Sequence, residues 1–449
     1  MIVYTSRWVV PITSSSFENG AVAVERGRIA YVGPTAGAPQ GERRDLGECA
    51  LMPGLVNVHS HLELTAMRGW LEDLPFRKWI IRLTKARQDI LTPDRLLASS
   101  KAGIAEGLLA GITTFADTCE SGSVHQALRE MGVRGTMYLE VFGPQPEQAG
   151  ASLATLGGRV AALRTMDTGL VRSGISPHAP YSVSDALFRG AADMAIADGL
   201  PIAVHAAESE AEQRLVTEAE GDFADALRAR GIAVSSRGAS TIELLDRAGV
   251  LRARPLLIHC VRASSADIRR IADNGCAVAH CPASNAKLGH GIADLAGFLD
   301  AGVVVGLGSD SVASNNRMDL LDEARLAILL GRAVGQRWDS FPATLGLELA
   351  TLGGARALGL DAEIGSLDEG KSADLAAFPL DVPQAQPVQD PESALVFATS
   401  GRGARLVTVA GEELVKEGRL VRGIADELAV VREAATELRQ SVRGQNPNS

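Results

Sequence analysis

Between residues 55 and 310 the chain alternates short apolar runs with longer amphipathic stretches, and few folds accept that rhythm. Strand candidates fall at 55–58, 112–116, 136–141, 170–176, 202–204, 256–258, 277–279 and 303–307. Between them lie helical stretches such as 92–109, 184–198, 210–230, 264–274 and 293–301. Thr92-Pro93 is a good helix start, with a capping hydroxyl followed by proline at the first helical position. Gly111, Gly199, Gly275 and Gly302 sit where helices should stop. Eight strands alternating with helices predict an α/β protein built on a (β/α)8 TIM-like barrel, which takes about 250 residues. Here the barrel would run over 55–360.

The two ends read differently. Short β runs at 2–4, 21–24 and 29–32, broken by Gly27 and Gly33, are matched by runs at 373–378, 405–409 and 413–415. Neither end has enough strands to bury a face alone. They are therefore expected to combine, 1–54 with 361–449, into one small β-sandwich beside the barrel. The stretch 426–443 reads as a helix, and 444–449 as a disordered tail.

Composition removes several functions. Net charge is −10, against a polyanion-binding role, and aromatics at 4% give no stacking platform for single-stranded nucleic acid. No stretch is long and apolar enough for a membrane span, and the first residues do not read as a signal peptide. The five cysteines are odd in number and mostly lie in apolar runs, as expected of reduced core residues in a cytoplasmic protein. The partner expected is a small molecule, and a homo-oligomer is left open.

The chain has only eight histidines, and six follow strands. His59 and His61 end the first, His178 follows the fourth, His205 the fifth, His259 the sixth and His280 the seventh, while Asp310 follows the eighth. In a parallel barrel all those ends open on one face, the face that carries chemistry. Chance placement would scatter histidines over helices and both ends. The cluster therefore predicts a metal site. His125 and His290 are read as surface histidines.

With His59-Ser60-His61, His205, His259 and Asp310 in that order, the chain resembles the amidohydrolase superfamily. Met52-Pro53-Gly54-Leu55 and the stretch from Gly365 to Lys371 followed by Ala373-Asp374-Leu375 extend the likeness over nearly the whole length. The resemblance implies that His59, His61, His205 and Asp310 bind a divalent metal, with His259 beside the metal-bound water. Binuclear members commonly use a carboxylated lysine after the fourth strand, and here Ser176-Pro177-His178 stands instead. One metal is expected, although a bridging Glu140 is conceivable. Zinc suits three nitrogens and a carboxylate with a position left for water, and iron or manganese accept similar ligands.

A bound divalent cation lowers the pKa of its water to about 7. Asp310 can act as base. Glu208, three residues beyond His205, would face the substrate if a helix begins there. In the deaminases resembled, this glutamate carries a proton to a ring nitrogen, metal-bound hydroxide attacks C6 and ammonia leaves. A similar division of labour operates in other zinc deaminases.

Three stretches look like the adenosine-type branch: 59–64, 176–184 and 308–314. That branch includes methylthioadenosine/S-adenosylhomocysteine deaminases and aminofutalosine deaminases. His-Leu-Glu at 61–63, Tyr138-Leu139-Glu140-Val141 and 311–314 look closer to the second, making 6-amino-6-deoxyfutalosine, a menaquinone precursor, the first substrate to expect. Methylthioadenosine or S-adenosylhomocysteine is the alternative. The glutamate that grips ribose in methylthioadenosine deaminases, expected about 27 residues after the second histidine, is here Gln88, followed by Asp89. Glu63 or Asp89 could replace it. His178 would hydrogen-bond substrate. Trp70, Phe76 and Trp79 are lid candidates, and Arg68, Arg82 and Arg87 candidates for a substrate carboxylate. A triazine-type chlorohydrolase or aminohydrolase and a non-catalytic scaffold are the competing readings. Retention of Glu208 and His259 favours deamination over the first, and retention of all four ligands argues against the second.

Overall fold

The computed structural model describes residues 1–399, 401 and 403–443. All eight expected strands form: Leu55–Ser60, Ile112–Cys119, Arg134–Val141, Val171–Pro177, Ala203–Ala206, Leu256–His259, Ala277–His280 and Val304–Leu307. The first four pair in parallel as one sheet and the last four as another. Parallel bridges at Ile175–Ile202 and Ser60–Asp310 bring the two sheets together on both sides.

Side-chain alternation explains how the strands are used. One set packs outward against helices, including Met137, Leu139, Val204 and Ala206. The other set, including Val56, Val58, Ala116, Tyr138, Ala203, Leu256, Ile258 and Ala279, forms an inner core drawn from both sheets. Tyr138 points the same way as Glu140, and Ala203 the same way as His205. The inward face that is apolar deep in the fold thus turns polar at the strand ends. A turn of helix from Gly354 closes the far side, and a side chain at Gly354 would come within 2.8 Å of the Val56 carbonyl oxygen.

The helical stretch read over 210–230 is two helices, Glu210–Glu218 and Asp222–Ala229. Ala219 (φ 59°) and Gly221 (φ 87°) break it, although the apolar spacing runs through. The chain ends share one nine-stranded sheet rather than two separate ones. It includes Glu42–Asp45, Cys49–Pro53 and Arg419–Leu420, strands absent from the sequence reading, and Gly33 lies within Arg28–Pro34 instead of breaking it. Val22 and Ile29 from one end pack with Leu375 and Leu406 from the other. A helix, Ala425–Arg443, follows, and the tail read as disordered lies outside the described residues. No helix among the described residues is long and apolar enough to cross a membrane.

Candidate metal centre and active site

His59, His61 and His205 each bring a ring nitrogen within 4.8 Å of the others, and ring nitrogens of His59 and His259 lie equally close to each other and to an Asp310 carboxylate oxygen. Local bonding aims them. Asp117, on the second strand, accepts from Ser60 Oγ (2.8 Å) and Leu62 N (2.7 Å), fixing the turn that carries both first-strand histidines. His61 Nδ1 donates to the Thr118 carbonyl (2.9 Å) and His205 Nδ1 to the His178 carbonyl (3.2 Å). Each therefore turns an Nε2 lone pair inward. Asp310 N donates to the His59 carbonyl (2.9 Å), and its Oδ2 accepts from Ser284 (2.5 Å) and Ser314 (3.1 Å). Asp310 Oδ1 stands 3.2 Å from His59 Nε2 and 3.5 Å from His61 Nε2.

These residues fit a divalent cation. Burial lowers the His59 pKa to about 4 and holds His205 well below its usual value, so both imidazoles are neutral donors. His59 Nε2 is buried without a hydrogen-bond partner. Asp310 stays ionised because the surrounding histidines outweigh its burial. Neutral nitrogens around one carboxylate form a donor set suited to zinc, iron or manganese.

Glu208 is buried and sits before the helix expected to carry it, in a strained turn where Ala207 has φ 51°. Glu212 holds that turn, accepting from Ala207 N (2.8 Å), Glu208 N (3.2 Å) and Thr241 Oγ1 (2.6 Å). Burial would raise the Glu208 pKa, but His259 and His290 overcome it and hold the carboxyl below its usual value. His259 Nε2 lies 3.7 Å from Glu208 Oε1, and its Nδ1 meets Asn285 Oδ1 at 3.0 Å. His290, read from sequence as a surface residue, is buried with Nε2 at 3.4 Å from Glu208. His125 is also buried, on a helix with Nε2 at 2.9 Å from Asp167.

A cavity of about 550 Å³ opens over these groups, lined by His61, His178, His205, Glu208, His259 and Asp310 at its base. Phe76, Trp79, Ile80, Phe223 and Leu227 form an apolar outer wall. Gln88 reaches the cavity, and so does Glu63, whose oxygens are taken by Arg87 (2.6 Å) and Ser121 (2.5 Å). Asp89 is paired with Lys85 and is not among the lining residues. Trp70 donates to the Leu438 carbonyl and supports the last helix, so it is no lid residue. Of the three arginines expected at a substrate carboxylate, Arg68 pairs with Glu106 and Arg82 covers the Trp70 ring. Arg87 lines the cavity between Glu63 and Glu120, and the outer cations are instead Arg77 and Arg230. Glu212 did carry a sequence signal, since Ser209-Glu210-Ala211-Glu212 has capping-box spacing. His290 carried none, because it follows no strand.

A parallel α/β hydrolase with a nitrogen–oxygen donor set at its strand ends is what these features define. The chain belongs to the amidohydrolase family, whose sequence pattern matches residues 50–414. It is 35% identical over 446 residues to a 5-methylthioadenosine/S-adenosylhomocysteine deaminase of Desulforudis audaxviator, covering 98% of this chain and 99% of that one. The crystal structure of an adenosine deaminase from Xanthomonas campestris with bound zinc superposes with a TM-score of 0.87 at 30% identity, covering 98% of each chain. Helicobacter pylori aminofutalosine deaminase, in complex with methylthio-coformycin, has a TM-score of 0.79 at 20% identity over 92% of this chain and 100% of its own, a likeness of fold.

Proposed function

We propose that this chain is a hydrolytic deaminase of an adenine nucleoside bearing a 5′ substituent. The observation that carries the reading is the buried Glu208–His259 pair facing the His59, His61, His205 and Asp310 cluster at the base of one cavity. In this reading the two parallel sheets are halves of one closed barrel over 55–360, and the terminal sheet, from 1–54 and 361–449, is the small β domain.

His59, His61, His205 and Asp310 would hold the metal, with zinc the first choice by analogy with the Xanthomonas relative. When bound, the ion supplies Lewis acidity that makes a water nucleophilic near neutral pH. Asp310, fixed by Ser284 and Ser311, accepts the proton of the attacking water. Glu208, ionised before substrate binds, would take a proton from that water and pass it to the ring nitrogen, which makes the amidine carbon electrophilic, and the proton taken by Asp310 would go to the amino group, which leaves as ammonia. Asn285 Oδ1, 3.0 Å from His259 Nδ1, sets that ring with Nε2 toward Glu208.

The named relatives support a thioether at the 5′ position, and the apolar outer wall suits one. 5′-Methylthioadenosine and S-adenosylhomocysteine therefore come before 6-amino-6-deoxyfutalosine. Metal-replete protein should release ammonia from the first two, followed by loss of adenine absorbance. A preference for 6-amino-6-deoxyfutalosine would reverse the substrate order, and no turnover of any adenine nucleoside would overturn the reading.

A further inference from the structure

Glu140 is the penultimate residue of the third parallel strand, with its side chain on the inward face, one pleat above Tyr138. It is buried, lines the cavity, and its Oε1 has no hydrogen-bond partner. Its partner across the sheet is Ser176, and His178, just past the end of that strand, holds Nε2 4.0 Å from that oxygen, too far for a hydrogen bond. His178 Nδ1 lies 2.8 Å from Ser182 Oγ, which also lies 3.1 Å from the Ala179 carbonyl. Glu140 and His178 thus stand side by side at the cavity wall with no hydrogen bond between them.

Buried polar groups without partners are rare, and each calls for an explanation. The cation on this side, Arg87, is paired with Glu63 and Glu120, although its Nε is buried without a partner. Glu63 is occupied by Arg87 and Ser121, and position 88 offers a neutral amide. A hydroxyl both donates and accepts, so it satisfies Glu140 as carboxylate or carboxylic acid and His178 Nε2 with or without its proton. Adjacent hydroxyls on one ring match two neighbouring groups of this kind.

We propose that Glu140 and His178 form the sugar subsite, taking the vicinal 2′- and 3′-hydroxyls of the nucleoside, with Glu140 the specificity-determining group. The assignment rests on the nucleoside deaminase reading above. It places the sugar grip on a rigid strand end rather than on the helix that carries Gln88.

The test compares wild type with Glu140→Gln on 5′-methylthioadenosine and on its 2′-deoxy and 3′-deoxy forms, read as kcat/KM. Wild type should prefer the ribonucleoside by roughly 10- to 100-fold over at least one deoxy form. Glu140→Gln should lose most of that preference by slowing the ribonucleoside while leaving the poorer deoxy substrate nearly unchanged. An unchanged ratio in an active Glu140→Gln overturns this proposal alone, and so does a wild type that takes ribo and deoxy forms equally, whether or not the variant folds. Loss of bound metal from Glu140→Gln, measured by elemental analysis, also overturns it, because the carboxylate would then be a ligand. A wild type that deaminates no adenine nucleoside overturns both readings at once.

Discussion

The terminal sheet and the strand-end mouth treat buried polar groups in opposite ways. In the sheet, Ser6 donates to the Cys49 carbonyl (2.7 Å) and Thr408 to the Ala373 carbonyl (2.6 Å). Arg134 bridges from the third parallel strand to Asp374 (2.8 Å) and Ser372 (2.9 Å), and Asp374 also accepts from Ala410 N (2.8 Å). At the mouth, His59 Nε2, Asp117 Oδ1, Glu140 Oε1, His280 Nδ1 and His290 Nε2 are buried without hydrogen-bond partners. Backbone strain does not follow that division: Ala207, His259, Cys260 and Asp310 have positive φ around the site, and so do Ile12, Asn19, Arg26, Ala410 and Glu417 in the terminal segments. Among the described residues the buried side-chain polar atoms of the sheet are bonded, whereas several at the mouth are not, as expected where a ligand binds.

The strongest way to break that contrast is Glu208→Gln. The mouth should keep its metal and its stability, while turnover falls by about 10²- to 10⁴-fold, the usual worth of a proton-transferring side chain. Elemental analysis beside the ammonia assay checks this. A variant of normal rate would remove Glu208 from the chemistry.

The sheet should respond in the reverse sense. Arg134→Met leaves the Asp374 carboxylate buried beside an apolar side chain, and breaking one partner of such a pair costs about 3–5 kcal/mol. The midpoint of denaturant unfolding should fall accordingly, with kcat of the folded fraction unchanged. A drop in kcat at full metal occupancy would mean that the two regions are coupled.

Glu212→Gln tests the boundary between the regions, because this residue is fully bonded yet serves the mouth. The amide cannot accept from Ala207 N, Glu208 N and Thr241 together as the carboxylate does. A loss of about 1–2 kcal/mol in stability is expected, with kcat reduced roughly tenfold through misplacement of Glu208. If stability falls and kcat holds, Glu212 is only structural.

The same division explains what could be read from sequence. Parallel strands covered on both sides are near-continuous apolar runs, so all eight were visible. Their histidines were visible because each follows such a run directly. Glu42–Asp45 was not, since this highly charged strand pairs only along Ile2–Thr5 and looks like a loop. Asp117 was hidden for a related reason, because a carboxylate at the end of an apolar run reads as the first turn residue. Its role depends on Ser60 and Leu62, residues more than fifty positions away that only the fold brings close. His290 became a site residue through tertiary placement, which no spacing rule conveys, whereas Glu140, near the end of an apolar run, was legible as a candidate bridging ligand.

The smallest expected effect comes from Cys281→Ser, and its smallness is informative. Cys281 follows His280, is fully buried, and lies next to Gly308, where a side chain would approach its Sγ to 2.9 Å. It is a soft donor that follows a mouth histidine and that the proposed ligand set leaves out. Burial holds its thiol well above the usual pKa, so it is not the thiolate a metal needs, and Sγ faces the Ala279 carbonyl at 3.8 Å. A serine hydroxyl is slightly smaller and can donate to the same carbonyl. Metal stoichiometry and kcat should therefore be unchanged and stability should shift by no more than about 1 kcal/mol. Loss of metal in this variant would show that sulfur belongs to the donor set, and the assignment of Asp310 or one of the three histidines would have to be withdrawn.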